Sequence, residues 1–130
     1  MSNIIGLYKN DNDKSKWLSM SNSYTSVVIL TIVLSGSALA DYKWQKELVI
    51  WFAEHDQSVI GEGVVGFDID DIPWTPDKFS EEKSFLLNVI DAAINKQGWE
   101  QLWFEPGEHI FEFLSTFREL INSFHSDWII

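Results

Sequence analysis

Ser26-Val27-Val28-Ile29-Leu30-Thr31-Ile32-Val33-Leu34-Ser35-Gly36-Ser37-Ala38-Leu39-Ala40 is the most apolar run of the chain, and its conformation decides the fold. β-Branching from Val27 to Val33 favours a strand. The small residues from Ser35 to Ala38 favour a helix packed closely on its neighbours. Periodicity does not arbitrate, because nearly every position is apolar. The run is shorter than the about 20 residues that a membrane-spanning helix needs. Ala38-Leu39-Ala40 has the small-x-small form of a signal-peptide cleavage site. However, the lead-in is 26 residues long and carries Asp11 and Asp13, unlike the short basic start of a signal. The run therefore reads as a buried helix over 26–40.

Working outward, Asp41 is a candidate N-cap for a helix from Tyr42 to His55. Trp44, Leu48, Trp51, Phe52 and His55 share one face of it, and Val49 and Ile50 widen its apolar surface. Further on, Thr75-Pro76 pairs a capping residue with proline at the first helical position. It predicts a helix to about Lys96 that buries Phe79, Leu86, Leu87, Ile90, Ala93 and Ile94, with Gly98 as its C-terminal cap. Pro106-Gly107 breaks the chain. Ile110, Phe113, Leu114, Phe117, Ile121 and Phe124 then recur at three- and four-residue steps and predict a helix over 108–124. Before the apolar run the chain is mostly polar, with a short helix expected over 14–20. The expected fold is all-α, a single compact domain of about four main helices. The rival is α+β, with a small sheet from 27–34 and 64–69.

Composition narrows the function. The 130 residues are 45% hydrophobic and 15% aromatic, enough for one domain with a real core. Seven tryptophans suit both cores and protein interfaces. The net charge of −11 disfavours direct contact with nucleic acid or an anionic membrane, and favours a basic partner. No cysteine is present, which removes disulfides, thiol catalysis and Cys-ligated zinc.

Between two of the predicted helices lies Gly61-Glu62-Gly63-Val64-Val65-Gly66-Phe67-Asp68-Ile69-Asp70-Asp71-Ile72-Pro73-Trp74. Pro73 disfavours a helix running through it. The glycines have G-x-G-x-x-G spacing, but no βαβ unit frames them and they lead into acid, so a nucleotide loop is not implied. Asp68, Asp70 and Asp71 do not make a calcium loop, because Ile72 and Pro73 stand where an EF-hand needs an acid and a glycine. His55, His109 and His125 form no metal or catalytic pattern, and no nucleophile elbow surrounds any serine. No catalytic residue, metal ligand or cofactor is therefore assigned.

Charge is concentrated here. From Glu54 to Glu82, nine acids and one base place −8 of the −11 in 29 residues. Acids supply steering and an aromatic supplies buried area, as a binder of basic surfaces requires. This points to Glu54, Asp56, Glu62, Phe67, Asp68, Asp70, Asp71 and Trp74 as candidate contacts.

The run Gly61 to Trp74, with Phe79-x-x-Glu82-Lys83-x-Phe85-Leu86-Leu87, Trp99-x-x-Leu102 and Glu105-Pro106, resembles small bacterial immunity proteins. These protect cells from contact-dependent growth inhibition toxins and related polymorphic toxins. The resemblance spans roughly residues 26 to 121. It implies a cytoplasmic, non-catalytic protein that binds the C-terminal domain of a cognate toxin, often a nuclease and therefore basic. It carries over no site residues. Two other readings of the acids remain: a small metal-dependent or acid/base enzyme using Asp68, Asp70 and Asp71, and an acidic adaptor subunit.

Overall fold

The computed structural model describes residues 2–6, 18–54, 66–95 and 108–128, with side chains described over 27–54, 69–95 and 111–127. Its order is β1 (Ser2–Gly6), β2 (Leu18–Ser21), α1 (Asn22–Leu39), α2 (Lys43–Glu54), β3 (Gly66–Asp68), a 3₁₀ turn Ile69–Asp71, α3 (Phe79–Ile94), α4 (Glu108–Ser123) and a second 3₁₀ turn Ser126–Trp128. The fold is helical, and its four main helices are those the sequence pattern predicts. The apolar run is helix as far as Leu39, so the rival strand at 27–34 does not form.

α1 packs against α2, α3 and α4, which explains its composition. A β-branched run tolerates helix when tertiary packing covers it on several sides. Val28, Ile29 and Ile32 are fully buried. Thr31, also buried, satisfies its hydroxyl by donating to the Val28 carbonyl at 2.7 Å. The helix begins before Ser26 because Asn22 continues directly from β2. At Gly36 the helices approach closely. A Cβ there would lie 2.7 Å from Val49 Cγ2 of α2 and 3.6 Å from Val89 Cγ1 of α3.

α2 buries Leu48, Val49 and Phe52, while Ile50 faces solvent at 53% exposure, against the expectation that it widens the core face. Its start is capped in reverse of the expected Asp41 cap. The Gln45 side-chain oxygen accepts the Asp41 and Tyr42 backbone N–H groups at 2.7 and 3.0 Å. Phe52 meets Phe117 of α4 with ring centroids 6.1 Å apart. α3 and α4 are braced twice. Arg118 donates Nε and Nη2 to the Asp91 carboxylate at 2.6 and 3.3 Å. Lys83 Nζ donates to the Asn122 and Phe124 carbonyls at 2.7 and 2.9 Å, closing the C-terminal end of α4.

A three-stranded sheet, ordered β2-β1-β3, is added to this helical body. β1 and β2 are antiparallel (Ser2 opposite Ser21), whereas β1 and β3 are parallel (Ile5 opposite Phe67). β2 lies against α1 and α4. Of the helix expected over 14–20, Leu18 to Met20 are strand instead and pair with β1, while 14–17 lie outside the described residues. β3 falls inside the stretch 64–69 that the rival reading made a strand.

Gly36 yields the first test. Gly36→Ala gains about 1 kcal/mol of helix propensity but must displace Val49, whose branched side chain is stiff in a helix. Overpacking costs about 1–3 kcal/mol. The expected net result is a lower midpoint of chemical denaturation, with part of the loss recovered in Gly36→Ala/Val49→Ala.

Candidate functional site: an acidic turn seated in the core

Ile69 and Ile72 are almost fully buried, and between them the chain makes one 3₁₀ turn that presents Asp70 and Asp71. Asp70 is half-buried and Asp71 exposed. The Ile69 carbonyl accepts two hydrogen bonds, from the Ile72 backbone N–H at 3.2 Å and from Trp74 Nε1 at 2.9 Å. A further tight turn follows, in which the Trp74 N–H donates to the Ile72 carbonyl at 2.7 Å. On its upstream side the turn continues from β3, whose backbone is held by β1. The acidic turn is therefore fixed at both ends.

Trp74 corrects the sequence reading. It is 9% exposed, stacked on Phe124 at 5.5 Å and tilted against Phe79 at 5.0 Å. It is a core residue that holds the turn, not an anchor offered to a partner. A buried indole needs a partner for its N–H, and the Ile69 carbonyl supplies one.

Glu82 also serves the interior, at 3% exposure. Its carboxylate accepts the Thr75 backbone N–H at 2.7 Å and the Thr75 hydroxyl at 2.8 Å. Thr75 is thus not an N-cap, and α3 begins only at Phe79, after a turn through Pro76 to Lys78. The spacing of seven residues between Thr75 and Glu82 lies outside the usual capping-box pattern, so no local motif signals it.

Of the other candidates, Glu54 is exposed at the end of α2. Asp56 and Glu62 lie outside the described residues, as do the side chains of Phe67 and Asp68. The structure adds Asp77 and Glu81, both exposed, just downstream of the turn. Among the described residues no three His, Asp or Glu side chains converge as metal ligands. No described helix is long and apolar enough to cross a membrane.

Two cations titrate abnormally. Burial holds the Lys83 ammonium below the usual lysine value. Between that lowered value and the ordinary one the unfolded chain holds the proton more tightly, so Lys83's contribution to stability rises with pH there. The hydrogen bond to Asp91 raises the Arg118 guanidinium above its already high value. Both groups brace α3 against α4.

Compared with models of protein families, with curated proteins and with solved structures, the chain matches none of them. Its function must be argued from its own residues.

The inward placement of Trp74 predicts a separation of effects. Trp74→Phe keeps a ring but loses the bond to Ile69, and stability should fall by about 1 kcal/mol. Trp74→Ala should cost about 3–5 kcal/mol. Urea denaturation measures both.

Proposed function

We propose that this is a non-catalytic, cytoplasmic immunity protein that neutralises the C-terminal domain of a cognate bacterial toxin, a basic nuclease, through its acidic surface. The observation that carries the reading is the seating of the Asp70–Asp71 turn. Buried Ile69, Ile72 and Trp74 hold it in one conformation. Asp71, Asp77 and Glu81 are exposed close by in sequence. Carboxylates carried on a preorganised turn lose little ordering entropy on binding. It also steers a basic partner electrostatically. A nuclease groove is basic because it grips phosphates, and an acidic ridge can occupy that groove in their place.

The test is association with the C-terminal domain of a basic nuclease toxin, sought among the products of neighbouring genes. Asp71→Lys/Asp77→Lys, at two exposed positions, should slow association by about tenfold and flatten its salt dependence, with the fold retained. Unchanged association rates, measured by stopped flow across a salt series, would overturn the ridge as the contact surface.

A further inference from the structure

A second feature lies beside the acidic ridge, where the start of α2 faces the outer side of α3. Tyr42, Trp44, Gln45, Ser80, Glu81, Ser84, Phe85 and Asn88 line an open groove of about 710 Å³. The volume is within the usual range for binding clefts. Its aromatic wall is unusual for a surface. Tyr42 is 64% exposed, and Trp44 is half-buried with its ring edge-on to Phe85 at 5.9 Å. Opposite stand Ser80, Ser84 and Asn88, exposed at four-residue steps along α3, with the Glu81 carboxylate beside them. All four side chains are exposed on the outer side of α3. The Gln45 oxygen is committed to the Asp41 and Tyr42 N–H groups, which leaves its NH₂ free to donate.

One wall of the groove, the Trp44 ring, already has a cation near it. Lys78, at the N-cap of α3, places Nζ 5.9 Å from the centre of the Trp44 ring. The ring face thus has the geometry of a cation–π seat. A planar guanidinium suits such a seat better than an ammonium, because it stacks on the ring and still donates in its own plane. Here those donors would meet Glu81, Ser80, Ser84 and Asn88.

We infer that this groove seats an arginine side chain of the protein's basic partner, stacked on Trp44 and paired with Glu81, with Lys78 occupying the seat in the free protein. The inference rests on the reading of a basic partner and adds the contact that reads its side chains. The Gln45 NH₂ is placed to donate to a carbonyl of the same peptide. Lys78 acts as an internal competitor, which an incoming guanidinium displaces.

The experiment titrates the full chain with a tetra-arginine peptide and, as the uncharged isostere, tetra-citrulline. The Trp44 indole N–H resonance, assigned through Trp44→Leu, reports occupancy of the groove. The expected result is a saturable shift of that resonance with tetra-arginine and none with tetra-citrulline. Trp44→Leu and Glu81→Gln should each weaken binding by about three- to tenfold. Lys78→Met should tighten it more than Lys46→Met, which removes the same charge from a separate hollow lined by Ser37, Ala40, Val49 and Ile50. Glu81 is exposed, so Glu81→Gln tests the groove even if Trp44→Leu fails to fold. The inference is overturned if both variants bind within about twofold of the parent, or if the shifts are confined to the Asp70–Asp71 turn. In that case the acidic ridge alone binds cations, and the reading of a basic partner stands. Failure of tetra-arginine to shift any resonance overturns both.

Discussion

The close approach at Gly36 is the constraint on which the helical body depends. One absent methyl lets α1 meet Val49 of α2 and Val89 of α3 at the same level of the core. Interiors are packed to crystal-like density, so a gap of this kind is not adjustable without cost. Once α1 sits at that depth, its β-branched residues are covered and its backbone polar groups are satisfied within the helix. A strand in the same place would need neighbouring strands to pair with, and α2 and α3 offer none. The preference of valine and isoleucine for strands is thus outweighed by what surrounds them.

How much of this was legible follows from the range of the interactions. The helices α2, α3 and α4 announce themselves through spacing, because each buries one stripe against the core. α1 is legible only by weighing β-branching against small residues, since its apolar positions carry no phase. The sheet was hidden for a different reason. β1 pairs with residues more than sixty positions away, and no local pattern in Ser2 to Gly6 records that. At the site, the density of acid was visible, but its division of labour was not. Glu82 and Asp71 look alike in sequence, yet one serves Thr75 in the interior and the other faces solvent. Trp74 misled because an aromatic after a run of acids fits an interface as well as it fits a core.

The scarce cations sharpen this division. Lys83 and Arg118 are spent on the α3–α4 contact, and Lys43 stands 4.0 Å from Glu47 on its own helix. Cations committed to bracing helices do little to neutralise the acids of the turn. The surface field around Asp71, Asp77 and Glu81 therefore follows from how the core is held as much as from composition.

The Ile69 carbonyl, accepting from both the Ile72 backbone and the Trp74 indole, separates two kinds of position within a few residues of chain. Ile69, Ile72 and Trp74 are buried and answerable to the fold, whereas Asp71 stands exposed between them. Such a turn works as a cassette. Charge and size at the exposed position 71 can be varied with both hydrogen bonds to the Ile69 carbonyl left in place, so recognition can diverge between descendants of one scaffold.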